Sequence, residues 1–142
     1  MVGALLIAAA AAAAPVAADH EQAAARAVVQ RYYAAIDRRD YRTAYAQWGN
    51  RGRASGKSYA GFARGFANTA GSCVALGRAG RVEGAAGSLY VTLPVDVRAR
   101  LRDGRRQHFR GTYTLRRVNG VPGASPASLR WHIASAQLRA VG

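Results

Sequence analysis

Proton-moving chemistry needs a carboxylate or an imidazole that can reach a substrate and hold a tuned pKa, and this chain has few of either. Its 142 residues include seven Asp and Glu, three His and one Cys. His20, His108, His132 and Cys73 are scattered without the short ligand spacing of a metal centre, so neither a metal nor a cofactor is expected. Cys73 lacks a partnered His motif that would make it a nucleophile. It reads as a buried small residue, and a lone Cys excludes any intrachain disulfide. Asp37 and Asp40 fall where two helices would join, which is capping chemistry, and Glu83 lies in a Gly-Ala-rich turn. The Gly-rich segments are not followed by the Lys-Ser/Thr of a phosphate loop, and Gly77 to Gly87 reads as a flexible connection. No catalytic residue is assigned on these grounds.

Arginine is what the chain has in excess. Basic residues number 21 against 7 acidic, a formal charge of +14, and all of the basic residues but Lys57 are Arg. A composition crowded with Ala and Gly fits a codon bias that favours Arg over Lys, but such a bias does not make basic residues outnumber acidic ones. Charge of this size favours anionic partners. Nucleic acid is disfavoured among them, because no base-reading motif appears.

The elements that must position these side chains begin after an uncharged run of Ala, Leu and Ile from Gly3 to Ala14, followed by Pro15-Val16-Ala17-Ala18. That is the apolar core and small-residue exit of a secretory signal. It is shorter than the roughly 20 residues of a membrane span, so no transmembrane span is expected. Residues 1–18 are read as a signal peptide cleaved after Ala18, and residues 19–142 as a single domain exported to the periplasm or the medium. No Cys stands at the cleavage point to take a lipid.

From Glu21 to Arg39, apolar residues at Ala25, Val28, Val29, Tyr32 and Ile36 predict a helix. Asp40 then caps a short second helix through Tyr41, Ala44, Tyr45 and Trp48, stopped by Gly49. After a loop from Asn50 to Lys57, Ser58 caps a third helix through Tyr59, Phe62, Ala63 and Phe66, ending near Gly71. The period then changes to two. Leu89, Val91, Leu93, Val95, Val97, Ala99 and Leu101 alternate with polar neighbours, and Phe109, Gly111, Tyr113 and Leu115 resume the alternation after Asp103-Gly104. Trp131, Ile133 and Ser135 begin a further strand, and a shorter one is expected from Ser72 to Leu76. Helices first and antiparallel strands second predict an α+β fold, with the N-terminal helices packed on a curved antiparallel sheet.

Matching the apolar faces sets Ala99 opposite Phe109, Val97 opposite Gly111, Val95 opposite Tyr113 and Leu93 opposite Leu115, through a three-residue loop or a bulge. Asp96, His108 and His132 then fall on the face away from the core. That outer face carries Arg98 opposite Arg110, Arg100 opposite His108 and Thr92 opposite Arg116. Like charges facing each other are destabilising unless they splay into water or meet an anion. Arg98, Arg100, Arg110 and Arg116 are therefore the candidate anion-binding residues, suited to anionic lipid, lipopolysaccharide phosphate or another envelope polyanion. The plainer reading is a solvated face screened by salt.

The run from Val28 to Ile36 with its paired Tyr32-Tyr33, then Asp40-Tyr41, Ala44-Tyr45 and Trp48, then the closing Trp131 to Ala136, resembles the nuclear transport factor 2-like superfamily over residues 24 to 139. Its small exported members are the most similar. The resemblance implies a cone-shaped roll with a pocket between the helices and the concave sheet, lined here by Tyr32, Tyr41, Tyr45, Trp48, Phe62, Tyr113 and Trp131. Such a pocket suits a small apolar ligand or a partner protein. The plainer reading is that these rings fill the core. Homodimerisation through the sheet is common in this fold, but the positive charge argues against two such faces meeting without a counter-ion. The leading expectation is a non-enzymatic exported binding protein. Polyanion binding through the Arg face is the first alternative, and an isomerase or hydrolase of the same superfamily is the second.

Overall fold

A computed structural model describes residues 3–142, with their side chains from Ala18 onward. All but the last residue of the expected signal segment lie outside the described side chains. The chain runs through α1 (Gly3–Asp37), α2 (Tyr41–Ala46), a 3-10 turn (Arg53–Ser55) and α3 (Tyr59–Gly65), then β1 (Thr69–Leu76), β2 (Glu83–Ala85), β3 (Ser88–Leu101), β4 (Arg106–Val118) and β5 (His132–Ala140). The sheet is antiparallel in the order β1-β3-β4-β5, with β2 also paired to β3. The predicted α+β arrangement is the observed one. Among the described residues, no helix is long and apolar enough to cross a membrane.

The helical spacing works as expected. Ala25, Val28, Val29, Tyr32 and Ile36 are buried together with Tyr33 and Ala35, so the buried face is wider than a single stripe. Arg39 leaves the helical region at φ 62°, and Asp40 caps α2 by accepting from the Thr43 amide at 3.2 Å. Ser58 caps α3 in the same way through the Gly61 amide. Asp37 does something else. Its carboxylate accepts the Ser72 amide of β1 at 3.0 Å, so it ties α1 to the sheet instead of capping a helix.

The β3–β4 hairpin keeps the expected faces but not the expected register. Val97 lies opposite Phe109, Val95 opposite Gly111, Leu93 opposite Tyr113 and Val91 opposite Leu115, a shift of two residues that preserves parity. Turn chemistry explains it. Gly104 has φ 89°, and the Asp103 carboxylate accepts the Arg105 amide at 3.0 Å. A three-residue loop favours glycine at its left-handed last position, which makes the loop Arg102–Gly104 and closes it with the Leu101 amide donating to Arg105 O at 2.8 Å.

Three smaller expectations are corrected. The connection read as flexible contains β2, which pairs Glu83 to Ala85 with Tyr90 to Ser88. Cys73 is exposed, because β1 turns Val74 and Leu76 toward the core and Cys73 away from it. In β5 the register shifts between Leu115 opposite Ile133 and Thr114 opposite Ser135. This bulge sends Ala136, and not Ser135, to the side of Ile133. Close approach also matters beside β5: a Cβ at Gly111 would meet the Gln137 carbonyl oxygen at 1.8 Å. The two strands can lie together there only because residue 111 has no side chain.

Candidate functional site

α1, α2, α3 and β4, with Trp48 after α2, bring their rings together in an aromatic cluster. Tyr32 stands edge-on to Trp48 at 6.1 Å and to Tyr113 at 6.2 Å, and tilted to Phe62 at 6.2 Å between ring centres. Tyr45 reaches Phe62 at 5.2 Å. Tyr32, Phe62 and Tyr113 keep only 4%, 3% and 2% of their surface exposed, so these three rings fill the space between helices and sheet. Edge-to-face pairs of this kind add about 0.5–1.5 kcal/mol each beyond area burial.

The seven expected pocket residues therefore divide. Tyr32, Trp48, Phe62, Tyr113 and Tyr45 come together. Tyr41 stacks on Phe66 at 6.3 Å on the flank of the cluster. Trp131 belongs to a different group: its indole N–H donates to Glu21 at 2.8 Å, and the Arg117 guanidinium lies 5.7 Å from its ring centre. Arg117 also donates to both carboxylate oxygens of Glu21. That bidentate pair holds the Glu21 carboxyl below its ordinary range, through the Arg117 hydrogen bond first. Glu21 and Arg117 are 96 positions apart, and nothing local in the sequence joins them.

Tyr33 was not among the expected pocket residues, yet its hydroxyl meets that of Tyr113 at 2.5 Å in the core. Its position beside Tyr32 on α1 was the available signal. Burial pushes the Tyr33 hydroxyl up to about 12 and raises those of Tyr32 and Tyr113 as well. These phenols keep their protons, and in the Tyr33–Tyr113 pair one hydroxyl donates to the other. The Trp48 indole N–H is buried without an acceptor.

Open space begins where the cluster ends. A groove of about 900 Å³ runs between α2, the turn from Gly49 to Ala54, the loop around Ser125 to Ser128, and β4 and β5. Tyr45, Trp48 and Tyr59 supply its apolar wall, Arg42, Arg51, Arg116 and Arg117 its cationic members, and His132 also lines it. Local chemistry builds this wall. The Tyr45 hydroxyl donates to Lys57 O at 2.6 Å, and its ring lies where a Cβ on Gly52 would be, 2.1 Å from the nearest ring carbon. Gly52 itself sits at φ 91°, so residue 52 is glycine for two reasons. Trp48 is anchored by a parallel bridge to Ile133, in which the Ile133 amide donates to Gln47 O at 2.8 Å and the Gly49 amide to Ile133 O at 2.9 Å.

The four arginines expected to bind anions do not form one stripe. The observed register sets Asp96, not Arg98, opposite Arg110, and Arg98 opposite His108. Arg100 faces Arg106, and Tyr90, not Thr92, faces Arg116. Asp96 accepts from Arg110 and His108 at 2.8 Å each, and Arg98 lies 3.7 Å away. The Arg110 hydrogen bond, then that of His108, holds the Asp96 carboxyl below its ordinary range. Arg116 sits at the other end of the hairpin, where its Nε donates to Ser88 Oγ at 3.0 Å. Asp96, His108 and His132 do occupy the face opposite Leu93 and Tyr113, as parity required.

No protein-family model matches the chain, and no curated protein matches it either. Solved structures do. A proposed aromatic ring hydroxylase from Novosphingobium aromaticivorans aligns at a TM-score of 0.60 and 16% identity, over 86% of this chain and 94% of that one. A proposed scytalone dehydratase from the same organism aligns at 0.60 and 13%, over 86% and 85%. A proposed dehydratase of the NTF2-like family from Streptomyces avermitilis aligns at 0.56 and 18%, over 87% and 98%. At these identities the likeness is one of fold, and the fold is the nuclear transport factor 2-like one.

Proposed function

We propose that this chain is an exported, non-enzymatic binding protein that takes a small, largely apolar ligand in the groove beside its aromatic cluster. One observation carries the reading: the groove of about 900 Å³ is walled by Tyr45 and Trp48, the cluster members that reach open space. Its size falls within the roughly 300–1,000 Å³ of small-molecule sites. The signal-like run from Gly3 to Ala18 supports export.

Binding is favoured over catalysis by what faces the cluster. Its polar groups are phenols held protonated by burial, while Asp96 is occupied by Arg110 and His108 on the other face. Glu21 of α1 is occupied by Arg117 and Trp131. The dehydratase and hydroxylase descriptions belong to the structural neighbours; among the groove's lining residues only His132 could serve as an acid or base, and its Nδ1 lies 3.0 Å from Arg130 O, with no carboxylate beside it. Polyanion binding through Arg98, Arg100, Arg110 and Arg116 has less support, since Asp96 stands among them.

The test is a titration with Nile red, a neutral apolar dye. Saturable binding to the full chain is expected, and Ala46→Trp or Ala127→Trp, both exposed positions lining the groove, should weaken it about tenfold or more without lowering thermal stability. Undiminished binding by both variants would refute the groove as the site.

A further inference from the structure

The same groove carries a charge pattern that an apolar ligand alone does not use. None of its lining residues is Asp or Glu, whereas Arg42, Arg51 and Arg116 all line it. Among the described residues these three have no carboxylate partner. Unpaired arginines are common on a chain with 21 basic and 7 acidic residues. What sets these apart is that they converge on one concavity with an aromatic wall.

Two of them are also oriented. The Arg42 guanidinium lies 4.7 Å from the Tyr59 ring centre, a cation–π arrangement. Arg116 spends its Nε on Ser88 Oγ, which leaves its terminal N–H groups free for a planar, two-oxygen acceptor. A guanidinium beside low-dielectric wall atoms binds an anion more strongly than one splayed into bulk water.

Resting on the groove as the ligand site, we propose that its occupant is an amphipathic carboxylate: a single apolar body laid against Tyr45, Tyr59 and the exposed edge of Trp48, with its carboxylate held at the arginine rim of Arg42, Arg51 and Arg116. A small molecule fits better than a membrane surface, because the charges line a concavity. The outer β3–β4 face, the alternative place for a bilayer to dock, holds Asp96 among its arginines.

The experiment compares decanoate with 1-decanol, each below its aggregation limit, by calorimetry and tryptophan fluorescence on the full chain at low salt. Decanoate should bind about tenfold more tightly, the gain of one charge-assisted hydrogen-bonded contact. Arg51→Gln combined with Arg116→Gln should bring decanoate down to the affinity of decanol while leaving decanol unchanged. Arg98→Gln combined with Arg110→Gln should change neither. Equal affinities, or a preference lost only in the second pair of variants, would overturn the carboxylate assignment while leaving the apolar groove standing. Failure of both ligands to bind would overturn the groove reading with it. Sedimentation with phosphatidylglycerol vesicles in the absence of any decanoate binding would mean that the occupant is a lipid surface, which also overturns the assignment.

Discussion

Tyr33 and Tyr113 show how a polar pair survives inside an apolar core. Each hydroxyl has the other within 2.5 Å, and burial keeps both protonated, so one donates and the other accepts. Deleting one partner strands the other, which is costlier than deleting both. Tyr33→Phe should therefore destabilise the chain by roughly 1–3 kcal/mol, and Tyr33→Phe/Tyr113→Phe should cost less than the sum of the single changes. Urea unfolding of the four proteins in a double-mutant cycle measures this; strict additivity would mean that the hydroxyls do not stabilise one another. Tyr113 faces the core in both the expected and the observed register, because the alternation of β4 settles which side a residue takes. Its partnership with Tyr33 was not legible, since 80 positions separate them.

At the level of elements, the sheet and helices were legible where a period runs long. From Leu89 to Leu101, β3 holds the two-residue alternation, but alternation fixes register only to within even shifts. The choice between neighbouring registers lay in Gly104 and its left-handed φ. The β2 strand escaped because Glu83, Gly84 and Ala85 are all exposed and show no apolar alternation. The clasp that Glu21 of α1 makes on Arg117 of β4 escaped for want of any local pattern. That clasp has a pH signature. Its folded-state carboxyl is depressed below the ordinary 4.5, so its stabilisation is complete above the unfolded value and fades as pH falls through the lower, folded one. Melting temperatures should drop between pH 5 and 3, as those of most proteins do, and Glu21→Gln should lower stability at pH 7 while shallowing that drop. An equally steep acid limb in the variant would show that Glu21 contributes nothing to it.

For the whole molecule, a net charge of +14 on 142 residues means that folding gathers like charges which the unfolded chain holds farther apart. Salt should screen this repulsion, with a Debye length near 30 Å at 0.01 M and about 10 Å at 0.1 M. The melting temperature is expected to rise over that range by several degrees, as measured by circular dichroism. A fall would mean that ion pairs such as Glu21–Arg117 outweigh the repulsion. Charge alone does not keep an open sheet from adding strands to its neighbours, and here the two outer strands have their own protection. Asp37 occupies the Ser72 amide on β1, and Gln47 and Gly49 occupy both backbone groups of Ile133 on β5. One position on each outer strand is thus already taken from within, by a carboxylate at Ser72 of β1 and by a borrowed length of backbone at Ile133 of β5. The segment that forms the groove wall at Trp48 therefore also covers one stretch of the β5 edge, and a substitution that loosened it would open that backbone to pairing with a second chain.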